Sequence, residues 1–394
     1  MLKKFFVAFT TAIFFMCMVS GVGETAEKKV SDKKSSATSK PIEKKSVWQP
    51  EIRVGILSGV TSVNLQVSVP CVMIDTTTKK VLQKISAEKN FAIDFAALKS
   101  NAVEIRGEEV QLKDLQTTIN GKKYFGGVRV NKKNGSLTVI NLAPVEEYLR
   151  GVLPQEMPVS WSVEALKAQA VAARTFVLKN RNRHAADGYD FCPTTHCQVY
   201  EGANFATTSD KAILDTRGVV LFYGGKICDA PFHTDSGGMT ENVADVWGTH
   251  LPYLQASEEL NKQTQAWTQK FMAKDFSERM GDNFGELKSI SLSKLVIGKS
   301  ASDRSASGRV KFALIVGKNR TVKISGIDLR AKFSLPGTLF DMKFENGEVI
   351  FEGYGRGHGV GMSQYGAEAY AKSGLTYDKI LSKYYHGTEL KKLY

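Results

Sequence analysis

The chain has 394 residues, 42% hydrophobic and 24% charged, enough apolar material for two or three packed units. Lys and Arg total 53 against 40 Asp and Glu, and the formal net charge of +13 calls for an anionic partner. No dense Lys/Arg patch interleaved with aromatics occurs beyond residue 50, which excludes a nucleic-acid reading surface.

Lys3 and Lys4 precede an apolar run, Phe5 to Val19, interrupted only by two threonines, and Gly21-Val22-Gly23 then supplies a small-x-small pattern. The run is short for a membrane span and a polar stretch follows it. Residues 1–23 are therefore expected to be a signal peptide, in contact with the membrane only during export, with an uncleaved anchor as the alternative. Cys17 makes no lipobox, because Phe15-Met16 precede it. The expected location is extracytoplasmic, the periplasm or cell-wall space, where nucleic acid is out of reach and anionic wall polymers are the partners. Residues 24–50 are Lys/Ser-rich with few bulky apolar residues, and read as a flexible linker.

From Ile52 the pattern is β. Short runs at 52–57 and 63–67 alternate in part, and Val128–Val130 and Leu137–Ile140 flank an Asn134-Gly135 hairpin turn. Residues 51–142 are expected to be a β-rich unit. Helix is expected after Pro158, with Ser160 as cap and Val163, Leu166, Ala170, Ala173 and Val177 as an apolar stripe. A second helix is expected at 208–217, ending at Gly218, followed by a hairpin from Val219 to Phe232 about Gly224-Gly225. Residues 285–352 return to short strands, and two helices are expected at 362–373 and 376–386. The expected class is α+β. A helical core of 143–268 and 353–394 is flanked by mostly antiparallel β units, 51–142 and the insertion 269–352.

Glu156 lies in Leu153-Pro154-Gln155-Glu156-Met157-Pro158, where two prolines predict a stiff, extended loop. A carboxyl beside Met157 could serve as a general acid with raised pKa, but from these residues alone a solvated loop glutamate is the favoured reading. Arg174 follows Ala172-Ala173, so its guanidinium is either snorkelling to solvent or pinned by partners. His184, Cys192, His196 and Cys197 suit a tetrahedral zinc, while Cys192 and Cys197 equally suit a disulfide. With Cys71 and Cys228 the count after the leader is four, which permits two disulfides. His233 and Ser236 sit in a Gly-ended loop, and His358 centres a glycine-dense stretch that ends at Met362-Ser363-Gln364. Taken alone, His358 reads as a satisfied structural histidine rather than a site residue.

Several stretches together resemble the SpoIID/LytB family: Val145-Glu146-Glu147-Tyr148-Leu149-Arg150-Gly151-Val152-Leu153-Pro154-Gln155-Glu156-Met157-Pro158, Ala165 to Thr175, Thr195-His196-Cys197-Gln198-Val199-Tyr200, and Gly357-His358-Gly359-Val360-Gly361-Met362-Ser363-Gln364. Asp215-Thr216-Arg217-Gly218, Ser236-Gly237-Gly238 and Val246-Trp247-Gly248 fall between them in the family's order. The resemblance implies a lytic transglycosylase acting on peptidoglycan glycan strands whose stem peptides have been removed. It places the catalytic glutamate on Glu156 and an essential arginine on Arg174, with His233, Ser236, His358 and Gln364 as substrate-binding candidates. It implies one structural zinc near His196 and Cys197, with His184 and Cys192 the nearest further ligands, and no cofactor for catalysis. Asp235 and Met239 depart from the family pattern and affect the subsites. Other members are named enhancers of wall amidases, so a glycan-binding protein that activates a wall amidase is the rival. Hydrolytic glycosidases use two carboxylates, whereas a lytic transglycosylase needs one, because the muramate C6 hydroxyl closes intramolecularly onto C1.

Overall fold

The computed structural model describes residues 48–262 and 264–394. The expected signal peptide at 1–23 and nearly all of the 24–50 linker lie outside the described residues. The fold is α+β.

A six-stranded antiparallel sheet begins the fold, with Ser136–Pro144 paired to Glu51–Val60 on one side and Gly127–Lys133 on the other. Asn134 and Gly135 close the predicted hairpin at φ 50° and 76°. Positive φ at both central residues gives the turn whose twist matches that of the strands. A four-stranded sheet of Asn90–Asp94, Ser62–Val67, Gln116–Ile119 and Lys122–Phe125 accompanies it.

Strand Ser136–Pro144 runs directly into helix α1, Val145–Glu156. This corrects the expectation of an extended loop at 153–158. Pro154 sits in the last turn, where its ring removes one backbone donor without breaking the helix. Met157 then turns extended (φ −142°, ψ 135°), as a residue before proline prefers.

Helix α2, Val163–Lys179, is the centre of the molecule. Leu166, Ala170, Ala173 and Val177 of the predicted stripe are fully buried, and so are Ala165, Ala168 and Ala172 on other faces. Small side chains allow neighbours to close on every side. The cap is Ser162, not Ser160, and its N–H donates to Glu368 (2.9 Å). Helix α3, Thr207–Asp215, ends ahead of Gly218 at φ 72°.

The predicted hairpin after Gly218 is shorter than expected. Val219–Tyr223 pairs with Lys226–Ile227 and, on its other edge, with Glu389–Lys392. Phe232–His233 departs to pair in parallel with Met362–Ser363, which brings two distant loops together.

The short helix α4 is Val243–Trp247. Residues 267–353 form two three-stranded sheets with two helices that the sequence reading did not anticipate, α5 (Ala273–Met280) and α6 (Gly326–Phe333). This region has its own apolar cluster around Phe276, Phe333, Phe340 and Phe351, whereas the sheets and central helices share another. The insertion is clamped by buried polar groups. Glu241 accepts hydrogen bonds from Ser305 and Ser307, and Arg309 donates to the carbonyls of Met239 (2.8 Å) and Ser236 (2.7 Å). Helices α7 (Gln364–Lys372) and α8 (Tyr377–Tyr384) lie close to their expected places, ahead of the strand Glu389–Lys392.

Candidate active site

A cleft of about 560 Å³ opens where the end of α1, the 195–197 turn, strand Phe232–His233, α4, α6 and the 357–364 loop meet. Glu156, the last residue of α1, lines it. Glu156 Oε1 accepts the Val199 N–H (3.2 Å), and the Gln364 side chain donates to the same carboxyl. Burial pushes the Glu156 pKa above the usual glutamate range, and the two hydrogen bonds oppose it only in part. The C-terminal end of α1 adds negative potential that also disfavours the carboxylate. The proton is therefore held to higher pH than on an ordinary glutamate, as a general acid requires.

His233 and His358 stand side by side in the cleft wall, ring centroids 5.4 Å apart. His233 Nδ1 donates to the Val360 carbonyl (3.2 Å), which leaves a buried Nε2 without a protein partner among the described residues. His358 Nδ1 accepts the Val360 N–H (3.0 Å). Burial, with the charge of Arg330 next, holds His358 down to about 4, and burial with the neighbouring His358 holds His233 well below its ordinary value. Both rings are neutral at neutral pH. Gly357, at φ 106°, is required for this pairing, since a Cβ there would stand 2.7 Å from His233 Cβ. Trp247, 49% exposed, lies 5.2 Å from the His358 ring and offers an apolar face at the rim.

His184, Cys192, His196 and Cys197 converge beside this cleft, their four donor atoms within 4.8 Å of one another. The Cys197 N–H bonds the Thr194 carbonyl (3.0 Å), a turn that lets adjacent His196 and Cys197 reach one point. Cys192 Sγ lies 3.6 Å from His196 Nδ1, and Cys197 Sγ lies 3.4 Å from His184 Nε2 and 3.5 Å from His196 Nδ1. Tetrahedral zinc with bonds of about 2.0–2.3 Å separates its sulfur and nitrogen ligands by about 3.5 Å. The donor set fits that ion. Asp187, 3.5 Å from His184 Nδ1, stands where an outer carboxylate orients a ligating imidazole. All four cysteines of the described residues are unbonded thiols, with Cys71 and Cys228 buried elsewhere.

Four sequence candidates thus meet in the cleft, Glu156, His233, His358 and Gln364, together with His196 and Cys197 from the metal-ligating set. Two others do not. Arg174 is fully buried away from the cleft, its Nε and Nη2 bonded to both oxygens of Glu146 (2.9 and 2.7 Å) and its remaining donors to the Val219 and Ile213 carbonyls. A guanidinium satisfied in this way has no donor to offer a ligand. Ser236 is equally enclosed, donating to Glu259 and accepting the Gly238 N–H (3.0 Å). Asp235 points inward as well, accepting from Gly237 and Thr264. The second carboxylate of the cleft is Asp229, anchored by the Asn180 side chain (3.0 Å). Asp229, Trp247 and Arg330 escaped the sequence reading as site residues. Only Trp247 had a local signal, its place in Val246-Trp247-Gly248.

Residues 133–223 match the SpoIID model, described as stage II sporulation protein. The stage II sporulation protein D of Bacillus subtilis is 34% identical over 266 residues, covering 63% of this chain and 74% of that protein. The chain belongs to the SpoIID family. An uncharacterised protein of Brachyspira hyodysenteriae is 33% identical over 69% of this chain and 73% of its own length. The amidase enhancer of Bacillus subtilis is 29% identical over 74% of this chain, which spans 47% of that longer protein. Residues 241–361 match a second model, a domain of unknown function. The SpoIID-matching stretch contains Glu156, Arg174 and the four metal-ligating candidates. Trp247, Arg330 and His358 come from the second, so both regions build the cleft.

Proposed function

We propose that this SpoIID-family chain is a peptidoglycan lytic transglycosylase that cuts the MurNAc–GlcNAc bond of peptide-free glycan strands. The observation that carries the reading is the desolvated Glu156 carboxyl at the cleft, its pKa raised by burial and its oxygens aimed by hydrogen bonds from Val199 and Gln364. Its proton passes to the glycosidic oxygen as the C1–O bond breaks and positive charge develops on the muramate ring. The resulting carboxylate takes the proton of the muramate C6 hydroxyl, whose oxygen bonds to C1 and closes a 1,6-anhydro ring. Intramolecular capture replaces a bound water. The His233 and His358 rings line the cleft, and Trp247 packs on a sugar ring face.

Asp229→Asn separates this from two-carboxylate hydrolysis. Anhydro product formation on peptide-free strands is expected to persist within about tenfold of wild type, whereas a base or nucleophile would lose on the order of a hundredfold or more. The pH profile gives a second check. Glu156 must carry its proton, so activity is full below its raised pKa and falls as pH rises through it. His358 titrates at about 4 and His233 lies below its ordinary value, so replacing either ring with Gln should leave the position of that falling limb unchanged. A limb that moves with either histidine would contradict the assignment.

The 29% relative named amidase enhancer supports the rival, a glycan-binding activator of a wall amidase. Intact strands together with faster turnover by an added wall amidase would favour it. For the metal we propose one structural zinc on His184, Cys192, His196 and Cys197, fixing the turn that forms one cleft wall. Protein purified without added metal is expected to hold about one zinc, and Cys197→Ser to lose it and unfold several degrees lower. Protein without zinc and with two fewer reactive thiols would establish a Cys192–Cys197 disulfide instead.

A further inference from the structure

The cleft contains two arginines, and they differ in kind. Arg183 is exposed, and its charge lies over the Phe176 ring (5.6 Å) in contact with water. Arg330, on α6 of the insertion, is half-buried, and its one protein hydrogen bond runs from Nε to the Leu335 carbonyl (3.3 Å). No carboxylate pairs with it among the described residues, and desolvation alone accounts for the lowering of its pKa. A guanidinium taken partly out of water without a counter-charge is costly, and Arg330 keeps both Nη groups free for a planar, two-oxygen acceptor. It lines the cleft and also the adjoining smaller cavity of about 100 Å³ beside Trp247 and His358. His358 lines both cavities with it.

We propose that Arg330 is the specificity residue of this cleft, pairing through its guanidinium fork with the free carboxylate of an acidic amino sugar whose ring packs at Trp247. This rests on the reading of the cleft as a glycan site. In peptidoglycan that carboxylate is the lactyl group of muramate, and it exists as an anion only where no stem peptide is attached, since the peptide converts it to a neutral amide. The insertion, which matches a domain of unknown function, thereby supplies the charge that tells a bare strand from a peptide-bearing one.

The test is equilibrium binding of two disaccharides by calorimetry, N-acetylglucosaminyl-N-acetylmuramic acid and the same sugar with its lactyl carboxyl as the methylamide. Neither contains the bond that the proposed reaction cuts, so the measurement is independent of turnover. Wild type is expected to prefer the acid by about tenfold or more, the scale of a charge-assisted bidentate pair. Arg330→Gln should bring that ratio close to one, and Arg330→Lys, which keeps charge without the fork, should give an intermediate ratio. Equal wild-type affinities, or a preference that survives in both variants, would overturn the assignment. A preserved preference in wild type with no turnover of strands would instead sink the catalytic reading and leave this one standing.

Discussion

Glu156→Gln is expected to lower turnover of peptide-free strands by about a thousandfold or more, because one carboxyl serves first as acid and then as base. The loss should fall on kcat, since Gln keeps the shape that accepts Val199 N–H and meets Gln364. The same substitution should stabilise the fold. A carboxyl whose pKa is higher in the folded than in the unfolded chain costs stability that grows as pH rises above the unfolded pKa and is complete above the folded one. Gln carries no charge to desolvate, so the variant should melt a few degrees higher at neutral pH. The gain should vanish as pH falls toward the ordinary glutamate pKa of about 4.3. Lost turnover with a rise in melting temperature separates an active-site acid from a packing residue, whose loss would lower both.

The opposite pattern is expected at Arg174. Its guanidinium is 0% exposed, and Glu146, its partner on α1, also accepts the Gly218 N–H (3.2 Å) and the Tyr394 hydroxyl (2.6 Å). One ion pair thus joins α1, α2, the segment after α3 and Tyr394, which follows the strand Glu389–Lys392. Arg174→Ala leaves a buried carboxylate uncompensated and should cost about 3–5 kcal/mol, a large share of a typical domain's roughly 5–15 kcal/mol. Removing both charges with Glu146→Gln and Arg174→Met should cost less than removing Arg174 alone. Thermal unfolding of wild type, Glu146→Gln, Arg174→Met and the double variant reads this cycle directly. Arg174→Ala with wild-type stability and no turnover would restore a role at the substrate.

These two positions also show what a single sequence discloses. The stripe Leu166, Ala170, Ala173 and Val177 and the Asn134-Gly135 turn were legible because their determinants are local, a 3.6-residue period and two residues tolerant of positive φ. Helix α1 was missed because Pro154 and Pro158 read as breakers, while Pro154 in fact sits in the last turn, where it removes one backbone donor and the helix ends two residues later. Arg174 could be assigned to neither solvent nor cleft, since Glu146 is 28 residues away and only the fold makes them partners. The four metal-ligating candidates are close in sequence, and their convergence was readable. Arg330 carried no signal. It enters the cleft from a region that the fold returns to the 357–364 loop, and its lack of a carboxylate is visible only in three dimensions.

The most direct test of the central claim is the mass of the new chain ends when the purified protein, freed of residues 1–23, acts on peptide-free glycan strands. Ring closure by the muramate C6 hydroxyl predicts ends one water lighter than reducing muramate and unreactive toward borohydride, absent with Glu156→Gln. Borohydride-reducible muramate ends would show water as the acceptor and make the chain a hydrolase. Strands that remain uncut would contradict catalysis altogether.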